Sequence, residues 1–441
     1  MKIIQVHNYY QQAGGEDAVV KAEAELLRTH GHEVVTYYKN NRSLVGRWQL
    51  VVGSFKTLWN WEIYCEFRKL LQKEKPDVVH CHNIFPLISP SIYWACAKKK
   101  VPVVQTLHNY RLLCLNAFLF RQSRHQDDKL QTPDSKLKTG PSGAVCELCV
   151  KKSFKWPGIR YGCYRGSKAG SLVVALMLFI HQRLGTWSKK VTAYIALTEF
   201  QKLKMIEGGL PVDKIRVKPN FIQQDDLATK ERIEHDTGGL FSDPSVSSVV
   251  NTPYCLFVGR LSPEKGCDVL IRAWAQFQEK LTAHGSKPPA SDHQPQLIIV
   301  GDGPERDALE ELAKSLQLSA VSFMGKQPKA GVLKLMKEAS FLVLPSVWYE
   351  GFPMTIVEAF SCEIAVIAPN DGGMKNIIVE QQNGLKFGLG NAGQLAGKIE
   401  WAFRHPSEMK DMGRAAHREF EEKYSAEANY NLLINIYEQV I

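Results

Sequence analysis

The sequence predicts an α/β protein of two domains, each built around a doubly wound parallel sheet. Short apolar segments alternate with longer segments of helical periodicity, which is the pattern of parallel strands covered by helices on both faces. Glycine-containing turns follow several of the apolar segments, at points where a strand would lead into a helix. The chain has 441 residues, which is too long for one ordinary hydrophobic core.

The first domain is predicted over residues 1–222 from apolar segments that are bounded by polar turns. The predicted strands are Lys2–Val6, His32–Tyr37, Asp77–His80, Val101–Leu107 and Val191–Leu197. Ligands of such sheets bind beyond the carboxyl ends of the strands. His80, His82 and His108 fall at these ends and are therefore candidate site residues. The alternative for each is a structural histidine that is satisfied by hydrogen bonds.

A glycine turn, Ala13-Gly14-Gly15-Glu16, separates the first strand from a helical pattern. Because glycine lets backbone N–H groups approach a ligand closely, Gly14 and Gly15 are candidates for binding an anionic ligand. Similar turns also open α/β units that bind no ligand, so an ordinary strand-to-helix turn is the alternative.

The start MKIIQVHN predicts a strand rather than a secretory leader, because it has neither a long apolar segment nor a cleavage site, and the chain contains ten cysteines. Reduced thiols and a cytoplasmic location are therefore expected. Four of the cysteines lie in or beside a polar region: Cys114, Cys146, Cys149 and Cys163. The Cys-x2-Cys spacing of the middle pair is typical of a zinc knuckle, so a structural zinc bound by four thiolates is one interpretation. The other is that these cysteines are small buried hydrophobic residues.

The formal net charge of +10 favours an anionic partner such as a nucleotide, a nucleic acid or a membrane surface. The basic residues concentrate in an insertion at about 114–190, where they alternate with aromatic side chains. Its longest apolar run, Leu172–Ile180, is shorter than the roughly 20 residues of a membrane span. Peripheral docking at the inner face of an anionic membrane is preferred to RNA binding, because no nucleic-acid motif is present. A solvated face beside a buried helix is a third interpretation.

Residues 223–252 are polar and contain glycine and serine, which predicts a linker with an insertion. The second domain is predicted over residues 253–422 and begins with the strand Tyr254–Val258. Gly259, Arg260 and Lys265 follow this strand and precede a helix. Arginine offers a planar fork to phosphate oxygens and lysine a compact charge, so this segment predicts a diphosphate contact.

A second phosphate-binding turn is predicted within Ser340–Glu358. The apolar run Phe341–Leu344 predicts a buried strand, after which Gly351 and Pro353 open a helix. Backbone N–H groups and the helix dipole favour an anion at such a helix start. Glu350 and Glu358 place one carboxylate on each side of it, which suits a ligand with hydroxyl groups at both ends, such as a nucleotide diphosphate sugar.

The segment EGFPMTIVE, with Glu350 and Glu358, resembles the E-x7-E motif of family 4 retaining glycosyltransferases, which have the GT-B fold of two Rossmann-like domains facing across a cleft. The resemblance also covers the segments around Arg260 and His108. HNYRLLC, CELC and CYRGS are similar to a subset of the family found in bacterial surface-polysaccharide biosynthesis. Near the donor the chain departs from the family at residues 361–364, where a glycine and a proline are usual.

The resemblance implies roles for individual residues. Arg260 and Lys265 would bind the donor diphosphate, Glu350 the hydroxyls of the donor sugar and Glu358 the ribose, while His108 would contact the sugar near its anomeric carbon. Together with these, the implied donor-binding positions are Gly14, Gly15, Gly259, Gly351 and Phe352. A C-terminal helix within 423–441 would cross back to the first domain, and no catalytic cofactor is implied.

The implied activity is that of a retaining hexosyltransferase that moves a sugar from a nucleotide diphosphate sugar to a glycan, with a lipid-linked oligosaccharide as the expected acceptor. A sugar-nucleotide epimerase shares the architecture and is the first alternative, although the combined arginine, lysine and glutamate pattern argues against it. A non-catalytic protein that binds nucleic acid or membrane on the same scaffold is the second. Conversion of a donor without an acceptor would identify the epimerase, and salt-sensitive binding without nucleotide affinity would identify the binding protein.

Overall fold

The structure is a computed structural model that describes residues 1–9, 15–40, 56–122, 139–140, 143–223, 252–283, 294–318 and 320–441. The chain divides into two compact units. The first unit comprises Met1–Leu119, Cys146–Phe221 and Ala426–Ile441, and the second comprises Phe120–Val145 and Ile222–Ser425. Gly14 and all but the two ends of the predicted linker 223–252 lie outside the described residues.

Strands and helices alternate along the described residues. The strands are β1 (Lys2–Tyr9), β2 (Glu33–Asn40), β3 (Val78–Cys81), β4 (Val103–Leu107), β5 (Phe120–Gln122), β6 (Thr139–Gly140), β7 (Gly143–Val145), β8 (Ala193–Ala196), β9 (Ile215–Val217), β10 (Tyr254–Val258), β11 (Gln296–Val300), β12 (Val321–Phe323), β13 (Phe341–Val343), β14 (Val366–Pro369) and β15 (Gly384–Phe387). The helices are α1 (Gly15–Thr29), α2 (Trp61–Glu74), α3 (Ser91–Lys99), α4 (Trp156–Arg160), α5 (Lys168–Arg183), α6 (Glu199–Glu207), α7 (Cys267–Ala283), α8 (Arg306–Ser315), α9 (Lys329–Glu338), α10 (Met354–Ser361), α11 (Met374–Ile377), α12 (Ala392–Arg404), α13 (Pro406–Glu419) and α14 (Ala426–Glu438).

The sheet of the first unit has the strand order β2-β1-β3-β4-β8-β9, and all of its pairs are parallel. In the register of its central strands, Val6 lies opposite Cys81, and Cys81 lies opposite Gln105. The residues that follow these strands therefore emerge at one edge of the sheet. This edge carries the histidine candidates of the first unit.

The C-terminal helix α14 belongs to the first unit. Its residues Leu433, Ile436 and Tyr437 are buried in one hydrophobic cluster with Ile3 and Val78 of the sheet. The segment from Phe420 to Tyr424, directly before it, belongs to the second unit. The chain therefore returns to the first unit at Ala426.

The sheet of the second unit has the order β12-β11-β10-β13-β14-β15 and is also parallel throughout. Its core contains Trp274 and Phe277 of α7 and Phe403 of α12, and the rings of Phe277 and Phe403 stack with centroids 5.6 Å apart. Two parallel sheets covered by helices confirm the predicted fold class.

A small antiparallel sheet with the order β5-β7-β6 departs from the predicted division of the chain. The sequence placed residues 114–190 within the first domain, whereas Phe120–Val145 group with the second unit. The physical reason is Phe120, which is only 6% exposed and packs in the second unit's core with Leu261 and Cys267. The insertion is therefore shared between the two units.

The apolar run Leu172–Ile180 lies inside α5, a helix of 16 residues. No helix within the described residues has the length and apolar character needed to cross a bilayer.

Candidate functional site

The segment after β10 carries the cationic half of the candidate site in the second unit. Arg260 is exposed, and Lys265 ends a short 3-10 turn, Pro263–Lys265. Gly266 then has φ +65°, and a Cβ at this position would lie 2.3 Å from the backbone oxygen of Pro345. Only glycine permits this approach. It brings Lys265 beside the segment that follows β13.

Lys265 and Glu350 form an ion pair at the centre of this half-site. The Lys265 Nζ lies 2.6 Å from Glu350 Oε1, and the Ser346 hydroxyl donates to the same oxygen at 2.9 Å. Glu350 is 5% exposed, whereas the Lys265 side chain is 23% exposed. The carboxylate is thus held inside the protein while the ammonium reaches the surface. Because an ammonium has three N–H donors, Lys265 can bind Glu350 and an anion together.

The turn after β14 closes around the backbone of Glu350. The Gly373 N–H donates to the Glu350 carbonyl oxygen at 2.9 Å, and a Cβ on Gly373 would lie 2.7 Å from that oxygen. This contact fixes the segment that carries the carboxylate. Gly373 belongs to the Asp371-Gly372-Gly373 turn, so two loops at the same sheet edge support each other.

Helix α10 begins directly after this segment. It starts at Met354, and its N-cap residue Pro353 provides no side-chain hydrogen bond to the first turn. Glu358 lies in this helix and is half-buried. Glu350 lies before the helix, so the two glutamates do not share one helical face. The ring of Phe352 packs against Tyr424 with centroids 5.7 Å apart, which gives it a structural contact.

The first unit contains a buried cluster of charged and polar side chains that the sequence did not predict as a whole. Glu23 of α1 is 1% exposed, and its Oε1 lies 2.9 Å from His80 Nδ1 and 3.0 Å from His82 Nε2. His82 Nδ1 in turn lies 3.0 Å from His108 Nε2. On the opposite side, Glu23 Oε2 lies 3.3 Å from Nζ of Lys218, which is also 1% exposed.

The charge state of this cluster follows from burial and the neighbouring charges. Burial opposes ionisation of Glu23, but His80, His82 and Lys218 hold its pKa well below the usual range. Burial, assisted by His80, lowers the pKa of His82 to about 3 against the opposing effect of Glu23. Burial, together with the rings of His82 and His7, also lowers the pKa of His108 well below its usual range. Glu23 is therefore an anion at neutral pH, and His82 and His108 are neutral.

These charge states assign the ring protons. An ionised Glu23 accepts, so His82 carries its proton on Nε2 and presents Nδ1 as an acceptor. His108 Nε2–H then donates to His82 Nδ1 across the 3.0 Å contact. His108 is left with a lone pair on Nδ1. In this way the buried carboxylate fixes the tautomer of a half-buried histidine at the sheet edge.

The ligand atoms of Glu23, His80 and His82 lie within 4.8 Å of one another, which is compact enough for a metal ion. The Lys218 ammonium already supplies the positive charge beside this carboxylate. Its Nζ also donates to Asn429 Oδ1 at 2.8 Å, so it is held in place from α14. The arrangement is therefore better described as a buried ion pair than as a cation site.

The remaining candidates of the first unit lie near this cluster. Gly15 is the first described residue of α1 and is exposed. Asp17, in the first turn of the helix, has its Oδ1 2.8 Å from Nε2 of the buried His7. A pocket at the same sheet edge is lined by polar and aromatic side chains that include His82, Phe85, Gln105, His108, Arg111 and Trp187.

The sequence prediction missed Glu23, Lys218, Asp17 and His7. One signal was available for Glu23, since it lies on the apolar face of α1 between Val19 and Leu27, where an acidic residue is unexpected. Lys218 gave no local signal, because its partner is 195 residues away in the chain.

The four predicted zinc ligands all lie in the first unit. Cys114 and Cys149 are buried, and Cys146 and Cys163 are half-buried. None of the ten cysteines, all of which lie in the described residues, forms a disulfide.

Large apolar side chains and cations are exposed along α4, its C-cap residue and α5, and this set is here called the basic apolar surface. Its apolar members are Trp156 at 62%, Tyr161 at 38%, Leu172 at 41% and Ile180 at 38% exposure. Arg160 and Lys168 are exposed on the same two helices. The surface thus combines large exposed apolar groups with cations.

Two family models match the chain. One, described as glycosyl transferases group 1, matches residues 242–419, and the other, described as Glycosyltransferase Family 4, matches residues 13–134. Together they include the segments that contain Glu23, His80, His82 and His108 in the first unit and Arg260, Lys265, Glu350 and Glu358 in the second.

Similar proteins include glycosyltransferases from several organisms. An uncharacterized glycosyltransferase of Methanocaldococcus jannaschii is 30% identical over 185 residues, which are 42% of this chain and 48% of that protein. The chain thus spans less than half the length of this curated relative. An uncharacterized 42.6 kDa protein from the cps region of Klebsiella pneumoniae is 24% identical over 413 residues, covering 86% of this chain and 87% of that protein.

Solved structures share the fold over the full chain. A glycosyltransferase from Rickettsia africae has a TM-score of 0.66 at 16% identity and covers 100% of this chain and 98% of its own. The Anabaena protein HepE in complex with UDP has a TM-score of 0.63 at 17% identity and covers 100% of both chains. At these identities the likeness shows the fold alone.

Proposed function

The chain belongs to the group 1 and family 4 glycosyltransferases of GT-B fold, and from this premise we propose that it is a retaining hexosyltransferase that uses a nucleotide diphosphate sugar. The observation that carries the proposal is the Lys265–Glu350 pair beside the exposed Arg260, at the carboxyl edge of the second sheet. Two cations and an uncapped helix start at one sheet edge suit a diphosphate. The relative HepE binds UDP, which supports a uridine nucleotide as the first donor to test.

In the proposed reaction the bond between the sugar and the diphosphate breaks, and negative charge grows on the leaving phosphate oxygens. Lys265 and Arg260 stabilise that charge, while Glu350 holds Lys265 in position. Positive charge develops on the sugar ring as its anomeric carbon takes oxocarbenium character. Retention follows if the acceptor hydroxyl attacks from the face of the leaving group and its proton passes to a leaving-group oxygen. Glu350 Oε2 takes part in neither the Lys265 nor the Ser346 contact. It would accept a hydrogen bond from a hydroxyl of the donor sugar.

In the proposed reaction, the lone pair on His108 Nδ1 accepts a hydrogen bond from a hydroxyl of the donor sugar. A neutral imidazole accepts a hydrogen bond from a sugar hydroxyl without adding positive charge beside the oxocarbenium centre. The low pKa of His108 keeps it in that state at neutral pH. Glu23 and His82 act as positioning residues, because they set the tautomer without contacting the sugar.

The proposed acceptor is a lipid-linked oligosaccharide in surface-polysaccharide synthesis. The relative from the Klebsiella pneumoniae cps region, which aligns over most of both chains, supports only the surface-polysaccharide part of this assignment. The basic apolar surface supports a peripheral contact with an anionic bilayer, where Trp156 would insert among headgroups and Arg160 would face lipid phosphates.

A screen of nucleotide sugars tests the proposed function. The full chain is heated with uridine, guanosine and adenosine diphosphate sugars, and one of them is expected to raise the melting temperature. Ligand at 100 times its Kd stabilises the folded state by about 2.7 kcal/mol. The bound donor alone should yield no epimer, and with a glycan acceptor should yield a product of unchanged anomeric configuration by NMR. The proposal is wrong if no such compound shifts the melting temperature, or if the donor is epimerised without an acceptor.

Membrane docking is tested by sedimentation with vesicles of phosphatidylcholine and anionic phosphatidylglycerol. Arg160→Ala should weaken binding about fivefold, since one interfacial basic residue contributes about 1 kcal/mol. Trp156→Ala should also weaken binding, because it removes apolar area that would be buried in the interface. The arginine effect should vanish at high salt. Trp61→Ala is the matched control, because Trp61 is 63% exposed on α2 and lies outside this surface. Equal binding by wild type and both variants would contradict docking through the basic apolar surface.

A further inference from the structure

We propose that Arg111 and Arg165 bind a diphosphate group of the acceptor, close to the hydroxyl that attacks the donor sugar. Both arginines belong to the first unit, and Arg111 lines the same pocket as His108. The inference rests on the proposed glycosyltransferase activity and adds to it the acceptor chemistry that this pocket recognises. It separates an acceptor carried on a diphosphate from an uncharged glycan.

The pocket beside His108 has the lining of a small-molecule site, which commonly combines an apolar wall with a few polar groups. Its buried apolar members include Tyr93, Met177, Trp187 and Tyr194. His108 and Arg111 are half-buried members of the same lining, so they mark the side on which the pocket meets solvent. The cavity volume of about 70 Å³ is enough for only part of a sugar residue. The rest of an acceptor would therefore lie beside Arg111.

The guanidinium of Arg111 is held in a fixed direction by aromatic rings. It lies over the ring of Phe85, 4.8 Å from the centroid, and over the ring of Tyr164, 5.5 Å from the centroid. The two rings meet edge to face with centroids 5.7 Å apart, and Arg111 Nη1 donates to the Leu115 carbonyl oxygen. Ring contacts use the faces of a guanidinium, whereas its five N–H donors lie in its plane. Such a planar fork matches the oxygens of a phosphate.

A second arginine packs against the same ring. The Arg165 guanidinium lies 5.6 Å from the centroid of Tyr164, and its side chain is exposed. The Tyr164 N–H donates to the Ser171 hydroxyl of α5 at 2.9 Å, which ties this ring to the helix. Two cations that share one ring repel each other. A diphosphate, which has an anionic group for each arginine, would offset that repulsion.

Helix α5 connects the pocket with the basic apolar surface, which favours a lipid carrier as the source of the diphosphate. Met177 of α5 lines the pocket, while Leu172 and Ile180 of the same helix are exposed. Tyr161, the C-cap residue of α4, is also exposed and lies three residues before Tyr164. A lipid-carried acceptor has its sugar, diphosphate and hydrocarbon in this order. The pocket, the two arginines and the exposed apolar side chains offer a matching contact for each part.

Titration calorimetry of the full chain with geranyl diphosphate, in the absence of any donor, tests the proposal. The wild-type chain should bind this probe more tightly than it binds geraniol or inorganic pyrophosphate. Arg111→Gln should weaken binding about tenfold or more, the loss expected for hydrogen bonds to a charged group. Arg165→Gln should weaken it about threefold, because exposed ion pairs contribute less. The proposal is overturned if geranyl diphosphate does not bind, or if inorganic pyrophosphate binds equally well and so assigns the arginines to a free diphosphate.

Arg68→Gln is the matched control for the loss of a ring-stacked arginine. Arg68 is half-buried on α2, and its guanidinium lies over Tyr64 at 5.5 Å from the centroid, but it is not part of the pocket lining. This variant should bind geranyl diphosphate as the wild type does. Lys265→Met should also bind it normally, because Lys265 belongs to the donor half-site. An equal loss in Lys265→Met and Arg111→Gln would place the probe at the donor half-site and overturn the proposal.

Two further readouts separate this proposal from folding and from the proposed function. If Arg111→Gln does not fold, the exposed Arg165→Gln decides the question, since unchanged binding by that variant would contradict the arginine site. With the donor from the nucleotide-sugar screen, Arg111→Gln should show the wild-type rise in melting temperature. A smaller rise would assign Arg111 to the donor instead of the acceptor. Because the titration contains no donor, it can fail while the nucleotide-sugar screen succeeds, and the reverse.

Discussion

Lys265→Met should lower kcat/KM for glycosyl transfer by about 10²- to 10³-fold, the effect of removing one preorganised donor from a site of developing negative charge. Methionine preserves most of the side-chain volume and removes the charge that we propose meets the leaving diphosphate. The loss should appear in kcat as well as in donor affinity, because the charge on the leaving group grows as the bond breaks. Lys265→Arg keeps a cation and should retain part of the activity.

The Lys265 variant also removes the partner of a buried carboxylate, so its effect on folding must be separated from its effect on catalysis. Adding Glu350→Gln to the Lys265→Met chain removes the carboxylate charge that the first substitution leaves uncompensated. This double variant should regain folding stability without regaining turnover. Lys280→Ala is the control, because Lys280 pairs with Glu400 at 3.6 Å on the surface of the same unit and should change neither property. A folded Lys265→Met protein with wild-type nucleotide affinity and turnover would exclude the diphosphate role.

Local sequence signals were sufficient for most strands and for placing Arg260, Lys265 and Glu350 in loops of the second unit. The strand Tyr254–Val258 was predicted with its observed bounds. Arg260, Lys265 and Glu350 could be singled out because each lies in a loop between a buried strand and the next helix. The roles proposed for them rest on the residue types within these short loops.

Interactions between distant segments could not be predicted in this way. The burial of Phe120 in the second unit's core depends on a tertiary contact that no local pattern reports. Glu23 and Lys218 likewise form an ion pair only because the fold places α1 beside the end of β9. The sequence identified the edge of the first sheet from its histidines, but it did not identify the ion pair that sets their protonation.

Glu23→Ala should be the most destabilising single substitution at the candidate site, because it leaves the Lys218 ammonium buried without its counter-charge. Breaking a buried ion pair costs about 3–5 kcal/mol. Glu23→Gln retains the side-chain shape and some of the hydrogen bonds, so it should lower the free energy of unfolding by less. Glu427→Gln is the control, since Glu427 pairs with His30 on the surface with its side chain 68% exposed. Denaturant unfolding measures each difference, and equal stability of Glu23→Ala and wild type would contradict a structural role for the pair.

The same network predicts how stability depends on pH. The pKa of His82 is about 3 in the folded protein, against about 6.5 when unfolded, so between these values the unfolded chain binds more protons. Stability should therefore fall as pH falls below about 6.5, and the depressed pKa of Glu23 adds a further loss at lower pH. His82→Asn removes one titrating group and should flatten this decline by up to about 1.4 kcal/mol per pH unit.

His82→Asn and His82→Leu separate positioning from packing. The side-chain oxygen of the introduced asparagine can still accept from His108 Nε2–H, so turnover should stay close to that of wild type in the His82→Asn variant. Leucine offers no acceptor, so His108 can adopt the other tautomer and lose the Nδ1 lone pair that we propose contacts the sugar. Turnover should then fall roughly fivefold, the equivalent of one hydrogen bond of about 1 kcal/mol, with the KM for the donor nearly unchanged. Equal turnover in the two variants would show that His82 only fills space, and a loss in both would show that its contact with Glu23, which neither variant keeps, is what positions His108.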